Sequence, residues 1–510
     1  MKTKLNIITA VVLIFLINFY YRSFTFYYST IDWDELTYFI MGKSILDGFL
    51  PYRDYWDLKP LGIYLVHAFT LLFFDYSILT MRVSAYVFSS ILAVILFISN
   101  YRKRFKESLL ISFVFLYSFV YYSSGLASNT EIYFLLFEAI SFYLLFVNEK
   151  VNVTQKSIAF FVLGIAFIIK YIIVFDVILF FFAALVFSFI DERIKKSGSV
   201  FEVFKKIFYE YALYVFVFLS PILITITVYL HLGSFDSYWN SILAVGKNHV
   251  RISTIYEKLE FIFYLKYFYL FSFFFVGYHF YTTKKFKLER GATVAFVWFL
   301  TSSLGAVWTG FLYEHYLLAV LFPILLFISF VVFDFDKTFG KRIVIRAILL
   351  LCIVGVFIFS IRKRNHIAKT LNSIPDQGLF MADAIRKITK EQVSGQGYFF
   401  VASGSHAPYV ILDQLPPVKY IQPNNYLEKT FAVNFAISGE KVISDIIKKK
   451  VNIVTWCNSK SIHEILTQKK GESEFSQEFV LALQTYLRNY RFESVQIQQD
   501  VRCTLYYKRG

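Results

Sequence analysis

The residues best suited to chemistry lie in one charged stretch, residues 31–61, of an otherwise apolar chain. Asp34 begins a helical pattern in which Tyr38 falls one turn later on the same face, whereas Glu35 points about 100° away. Lys59 stands further along the stretch, directly before a proline. A carboxylate can take a proton from an attacking hydroxyl, and a cation can stabilise a departing phosphate. Asp34 therefore suits the role of a base, and Lys59 suits that of a phosphate ligand.

Several other polar residues are candidates for the same site. Glu35 is the second candidate catalytic residue, which could tune or position Asp34, and Arg53 could help Lys59 to bind phosphate. Lys170 lies late in a short apolar segment, from which its long side chain could snorkel toward a lipid headgroup. A second rank of candidates for the site, or for a metal ion, comprises Tyr38, Asp57, Glu131 and Glu314.

Most of these residues also have an explanation that involves no chemistry. Glu131 stands at the mouth of an apolar segment and could equally be a helix cap, and Tyr38 could simply pack. His315, beside Glu314, could contact phosphate, ligate a divalent ion or lie in the membrane interface. Two candidate ligands, Glu131 and His315, leave the need for a divalent metal ion open. The loop carboxylates expected only to face solvent are Asp32, Asp47 and Asp54.

The composition indicates a polytopic membrane protein. The 510 residues are 57% hydrophobic and 21% aromatic, and only 17% are charged, which is far from the usual soluble composition. The net charge of +16 does not indicate nucleic-acid binding, because the basic residues form short clusters between apolar runs. Such clusters are typical of cytoplasmic loops.

The positive clusters predict a topology with the N-terminus in the cytoplasm. Each interval between successive clusters holds enough apolar sequence for two crossings of about 20 residues each. Eleven spans are predicted, at residues 5–22, 79–100, 107–123, 132–148, 157–172, 177–190, 210–230, 257–281, 291–309, 317–335 and 343–361. The charged stretch then belongs to a long first external loop.

The first external loop, residues 23–78, is predicted to contain two helical pieces. The first runs from Trp33 to Leu46. The second begins at Lys59-Pro60, where the proline suits a first helical turn. The apolar run 61–74 would break the alternation of sides if it crossed the membrane, so we expect it to lie at the outer membrane face.

The tail, residues 362–510, has the mixed pattern of a soluble α/β domain. Span parity places it outside the cytoplasm, although basic residues directly follow the last span. Cys457 and Cys503 could form one disulfide in an oxidising compartment or remain two free thiols. The turn Ser403-Gly-Ser-His406 lacks the flanking glycines of a nucleophile elbow and is expected to be an ordinary turn.

The motifs taken together resemble a known enzyme family. Asp34-Glu35, Tyr38, the Gly48-x-x-Pro-Tyr-Arg-Asp turn and Lys59-Pro60-Leu61 resemble the GT-C membrane glycosyltransferases that use polyprenyl-phosphate sugars. The most similar groups are the protein O-mannosyltransferases and the lipid A aminoarabinose transferases. Further matching positions are Asn129-Thr130-Glu131, Lys170 and His315-Tyr316. The resemblance is strong over residues 1–140, looser to about 335 and absent from the tail.

The resemblance implies a GT-C-like catalytic domain over residues 1–361 with an extracytoplasmic α/β domain over 362–510. It implies transfer of a hexosyl or pentosyl group from a polyprenyl-phosphate donor to a lipid, glycan or protein acceptor of the cell envelope, with inversion at the anomeric carbon. Many relatives have Glu-Lys-Pro-Pro where this chain has Leu58-Lys59-Pro60-Leu61, with the acid one place earlier at Asp57. A transporter or flippase of lipid-linked sugars is the alternative, for which charge near the bilayer midplane would be expected.

Overall fold

The computed structural model covers the whole chain. It describes residues 2–102, 105–121, 123–148, 151–194, 200–248, 253–266, 270, 273, 289–332, 343–392, 398–468, 473–498 and 501–508. Every structural statement below concerns these residues.

The first three quarters of the chain are helical, as its apolar runs predict. The helices are α1 (Lys2–Arg22), α2 (Trp33–Leu46), α3 (Leu61–Leu71), α4 (Ile78–Ile98), α5 (Phe105–Tyr121), α6 (Thr130–Phe142, continued by a π-helical turn over Tyr143–Val147), α7 (Val153–Ile169), α8 (Val174–Ile194), α9 (Val200–His231), α10 (Phe235–Asn248), α11 (Ile255–Phe263), α12 (Arg290–Trp308), α13 (Leu317–Val332) and α14 (Ile343–Ser373). Ten of the eleven predicted spans fall on one of these helices.

Seven described segments are long and apolar enough to cross a membrane. They are Asn6–Thr25, Ile78–Ile98, Thr130–Val147, Tyr171–Glu192, Phe201–His231, Arg290–Trp308 and Glu314–Val331. Helices α5 and α7, on the predicted third and fifth spans, have 17 residues each, slightly short of the usual crossing length. The predicted span 343–361 lies within α14, and most of the predicted span 257–281 lies outside the described residues. The chain is a multi-pass membrane protein.

The first loop has the predicted helical pieces. Helix α2 has the predicted bounds, and α3 begins at Leu61 with Pro60 as its N-cap residue. With 11 residues, α3 is too short to span a bilayer.

Two glycines allow these loop helices to pack closely on their neighbours. A Cβ atom on Gly42 of α2 would lie 2.8 Å from the backbone nitrogen of Ala68 in α3. A Cβ atom on Gly62 of α3 would lie 2.6 Å from the backbone of Ile168 in α7. The two loop helices are therefore seated directly on each other and on the bundle.

The tail forms the predicted α/β unit. Its elements are α15 (Gln377–Gln392), β1 (Tyr398–Ser403), α16 (Pro408–Ile411), α17 (Asn424–Leu427), α18 (Lys429–Asn434), α19 (Gly439–Lys448), β2 (Val451–Asn458), α20 (Ile462–Thr467), α21 (Gln477–Tyr486), β3 (Arg491–Gln498) and β4 (Val501–Tyr507). The strands form one sheet in the order β1-β2-β4-β3, in which β1 and β2 are parallel and the other pairs antiparallel. Cys457 of β2 and Cys503 of β4 lie opposite each other and form a disulfide.

The tail packs tightly against the first loop. The Trp56 backbone nitrogen donates to the Lys419 carbonyl at 2.8 Å, and the Tyr55 hydroxyl donates to the Pro416 carbonyl at 3.1 Å. The Trp56 ring belongs to the tail's own hydrophobic core. Helix α14 runs without a break across residue 361, so the two predicted domains share a continuous helix.

Candidate functional site

The site begins at the N-terminus of α2, where a capping box fixes the first turn. The Asp32 carboxylate accepts from the Asp34 backbone nitrogen at 3.1 Å, and the Glu35 carboxylate accepts from the Asp32 backbone nitrogen at 3.3 Å. This reciprocal pattern satisfies backbone donors that the helix itself cannot pair. It holds the Asp34 side chain on the open side of the helix, where 24% of it remains exposed.

Asp34 contacts both residues that the spacing predicts. The Lys59 ammonium lies 3.0 Å from Asp34 Oδ2, and the Tyr38 hydroxyl donates to the same oxygen at 2.9 Å. Tyr38 is buried and its ring stacks near His67, with 6.4 Å between ring centroids. The predicted pairing of a loop carboxylate with a loop cation is thus present in the structure.

The charges of this pair hold each other in the ionised state. Burial alone would raise the pKa of Asp34, but Lys59, His315 and the hydrogen bond from Tyr38 together hold it well below its usual range. Burial opposes the charge of Lys59 as well, yet Asp34 holds the Lys59 pKa above its ordinary value. An aspartate with so low a pKa is a weak base for as long as the lysine stays beside it.

The backbone of Lys59 is fixed by two buried tyrosines. The hydroxyls of Tyr52 and Tyr64 donate to the Lys59 carbonyl at 2.8 and 3.0 Å. Tyr64 also donates to Asp57 at 2.8 Å. Burial raises the pKa of Asp57. Asp57 therefore contributes to the support of the turn that presents Lys59.

A second ion pair lies deeper in the same cluster. Lys170, between α7 and α8, forms a buried ion pair with Glu131 at the start of α6 and donates to Thr130 at 3.2 Å. Its ammonium also lies 4.3 Å from the centroid of the Tyr316 ring. The Lys170 charge is near enough to Lys59 and Asp34 to interact with both.

His315 joins this cluster from the turn before α13. Its Nδ1 lies 4.0 Å from Asp32, which also accepts from the Asn129 amide at 2.9 Å. Burial and the neighbouring Asp34 raise the pKa of Asp32 to about 6. Asp32 was expected only to face solvent, but the structure makes it a helix cap that lies within the candidate site.

Glu35 occupies a different environment from Asp34. Its side chain is fully buried, forms an ion pair with Arg82 of α4, and accepts from the Ser128 backbone nitrogen at 2.7 Å. Together with its part in the capping box, these contacts use both carboxylate oxygens. The side chain faces the interior of the fold, away from the open side of α2.

Two predicted residues lie at the edge of the cluster. Arg53 is paired with its neighbour Asp54 at 2.7 Å and is largely exposed. Glu314 is exposed on the short turn Glu314–Tyr316. Asp47, as expected, forms only a local surface pair, with Lys43 at 2.6 Å.

The described residues do not fit a divalent metal site. Among them, no group of three or more His, Cys, Asp or Glu side chains could hold an ion. Glu131, one of the two candidate ligands, is instead engaged by Lys170.

Some residues in and near the site escaped prediction from the sequence. The pattern Asp32-x-x-Glu35 before an apolar run is the sequence signal of a capping box. It could have revealed that Asp32 caps α2 and that Glu35 bonds back to the cap. Arg82 gave no local signal, because its partner comes from another helix.

The membrane bundle also contains buried acids that the sequence did not single out. Asp176 accepts from the hydroxyls of Thr301 at 2.5 Å and Ser302 at 2.9 Å, and it interacts electrostatically with Glu138.

The whole fold is similar to that of a solved structure. ArnT from Cupriavidus metallidurans, determined bound to undecaprenyl phosphate, matches with a TM-score of 0.61. The match covers 98% of this chain and 97% of that chain, at 11% sequence identity. It confirms the predicted likeness to the lipid A aminoarabinose transferase fold of the GT-C class. By sequence, no family model and no curated protein matches the chain.

Proposed function

We propose that the protein is a membrane glycosyltransferase that takes a sugar from a polyprenyl-phosphate donor and transfers it to a lipid, glycan or protein acceptor. The observation that carries this proposal is the partly exposed Asp34–Lys59 pair at 3.0 Å, with Lys170 in electrostatic contact. A base and two cations in one cluster match the needs of transfer from a phosphate. The ArnT-like fold supports the same assignment.

In this reaction Asp34 accepts the proton of the acceptor hydroxyl as its oxygen attacks the anomeric carbon. The new carbon–oxygen bond forms while the bond from the anomeric carbon to the phosphate oxygen breaks. The bonding electron pair leaves with the polyprenyl phosphate, whose added charge is stabilised by Lys59 and Lys170. Inversion at the anomeric carbon follows from the family resemblance.

The ion pair suggests how the base becomes active. In the free protein, Lys59 holds the Asp34 pKa low, so Asp34 is a weak base. A donor phosphate competes for the same ammonium and draws its charge away from Asp34. The basicity of Asp34 then rises only when the donor is bound. Asp34 therefore stays ionised until an acceptor hydroxyl can be used in the transfer.

The disulfide supports an extracytoplasmic site. Disulfides persist in oxidising compartments and are rare in the cytoplasm, so the Cys457–Cys503 bond favours a tail outside the cytoplasmic membrane. The tail packs on the loop that carries Lys59. Both would therefore face the same side, with the N-terminus in the cytoplasm.

Transport of a lipid-linked sugar is a second candidate, because the bundle contains buried acids. Glu138 of α6 and Asp176 of α8 are at most 3% exposed. Neither carboxyl oxygen of Glu138 has a hydrogen-bond partner among the described residues. Ionisable groups within membrane helices commonly mark transport pathways.

Reconstitution separates the two functions. Proteoliposomes carrying the purified protein would receive radiolabelled polyprenyl-phosphate sugars on one side, together with membrane extract as the acceptor source. Glycosyl transfer requires label to appear in a new covalent product, and Glu138→Gln should leave its rate unchanged. Movement of intact labelled lipid across the bilayer without a new product would instead establish transport.

A further inference from the structure

The tail reaches the first turn of α2 through one buried histidine. His406 follows strand β1, is fully buried, and places its Nε2 atom 3.0 Å from the hydroxyl of Thr37. Its ring also meets Trp33 edge to face, with 6.3 Å between ring centroids. Trp33 and Thr37 lie one turn apart on the same face of α2, and Asp34 falls between them in sequence, so His406 packs on the turn that carries the proposed base.

The hydrogen bonds indicate how His406 is protonated. The Thr37 hydroxyl donates to the Trp33 carbonyl at 3.4 Å, so its proton is used there. The Nε2–H of His406 is then the donor to Thr37. Burial lowers the pKa of His406 to about 3, which keeps the ring neutral with a single N–H.

The turn that carries His406 is itself anchored on both sides. Gly404 has φ +100°, and a Cβ atom there would lie 2.6 Å from Cys457 of the disulfide. Ser405 exchanges a hydrogen bond with Thr30 at 2.7 Å, and its backbone nitrogen donates to Gln377 at 3.0 Å. The turn therefore fixes the residues just before α2 relative to the sheet of the tail.

We propose that His406 is a positioning residue of the site, through which the tail orients the first turn of α2 and hence Asp34. This inference rests on the proposed function, because it assigns a purpose to the orientation of Asp34. The tail would then contribute to catalysis by positioning Asp34, without supplying a reacting group. A shift of about 1 Å at a reacting group can cost about 100-fold in rate.

The two hydrogen-bonding partners allow a double-mutant cycle. His406→Ala and Thr37→Val each remove the bond, and His406→Gln retains an N–H donor near the position of Nε2. His463→Ala is the matched control, because His463 is an exposed histidine of the same tail. Each purified variant is assayed for transfer of label from polyprenyl-phosphate sugars and for binding of undecaprenyl phosphate.

We expect His406→Ala and Thr37→Val each to lower kcat by about 10- to 100-fold. Their double variant should lose little more than either alone, since both remove one interaction. The Kd for undecaprenyl phosphate should change less than threefold, because the Lys59 backbone is held by Tyr52 and Tyr64, which the substitutions do not touch. His406→Gln should recover most of the rate.

Three results would overturn the inference. Full activity of His406→Ala, alongside an inactive Asp34→Asn, would remove the role of His406 and leave the proposed function intact. A loss in His406→Gln as large as that in His406→Ala would exclude the hydrogen bond as the cause. Full transfer by folded Asp34→Asn would contradict the proposed function and the inference together. If His406→Ala does not fold, Thr37→Val gives the same comparison.

Discussion

The Lys59 ammonium and the Asp34 carboxylate lie 3.0 Å apart, and both side chains remain partly exposed. Because both side chains are largely buried, the cost of removing the two charges from water offsets much of their attraction. The pair brings the groups that the proposed reaction needs, a base and a phosphate ligand, into direct contact before the donor arrives. Donor binding and base activation are therefore expected to be linked through Lys59.

Lys59→Ala should weaken donor binding. The variant loses a charged hydrogen-bond donor to phosphate, worth about 1.5–3 kcal/mol, and leaves the charge of Asp34 to repel the ligand. The Kd for undecaprenyl phosphate should rise by about 10- to 100-fold, as measured by equilibrium binding to the protein in detergent. Lys43→Ala is the control, since Lys43 forms its ion pair with nearby Asp47, outside the candidate site. Equal affinities of the two variants would exclude Lys59 as a phosphate ligand.

Asp32 should make folding stability fall as the pH rises from 5 to 7. Its pKa is about 6 in the folded protein and about 3.9 in an unfolded chain. The contribution of protonated Asp32 to the free energy of unfolding is complete below about pH 4 and is lost as the pH rises through 6. Relative to Asp32→Asn, which keeps an N-cap side chain, the wild type should lose about 1 kcal/mol over this interval. Parallel thermal unfolding midpoints at pH 5, 6 and 7 would contradict this assignment.

Glu35→Gln should primarily destabilise the fold. Glutamine still completes the capping box, but Arg82 is left buried without its counter-charge, at a cost of about 3–5 kcal/mol. A lower unfolding midpoint, with activity per folded molecule retained, is the expected result. The double variant Glu35→Gln/Arg82→Met should recover part of the stability. Loss of transfer at an unchanged midpoint would instead support the catalytic role predicted from the sequence.

The disulfide should prevent two of the three cysteines from reacting with a thiol reagent. Without reductant, the denatured protein should react with maleimide only at Cys352 of α14, and after reduction at all three cysteines. Loss of the bond by Cys457→Ser should cost about 4 kcal/mol, given the sequence separation of 46 residues. Labelling of all three thiols in unreduced protein from native membranes would contradict an extracytoplasmic tail.

The sequence predicted the local elements of this fold well. The apolar runs located the membrane helices, and helix α2 was predicted with its observed bounds. The mixed pattern of the tail predicted an α/β domain, and the described residues of the tail contain the expected helices and a four-stranded sheet. These features follow from local periodicity and capping, which a single segment contains by itself.

The contacts between segments were harder to predict. The pairing of Asp34 with Lys59 was expected because both lie in one loop. The partners of Glu35 and Lys170 come from other helices, and no sequence spacing relates them. His406 was taken for part of an ordinary turn, since nothing in residues 403–406 indicates contact with α2. Long-range pairing depends on how the elements pack, which one sequence does not specify.

The central claim is that Asp34 is the base of a glycosyl transfer, and Asp34→Asn tests it most directly. The assay follows radiolabel from polyprenyl-phosphate sugars into acceptors of a membrane extract, with purified wild-type or variant protein in liposomes. The account predicts a loss of at least about 100-fold in transfer, with undecaprenyl phosphate bound at least as tightly because Lys59 is released from Asp34. Undiminished transfer by a folded Asp34→Asn variant would contradict it.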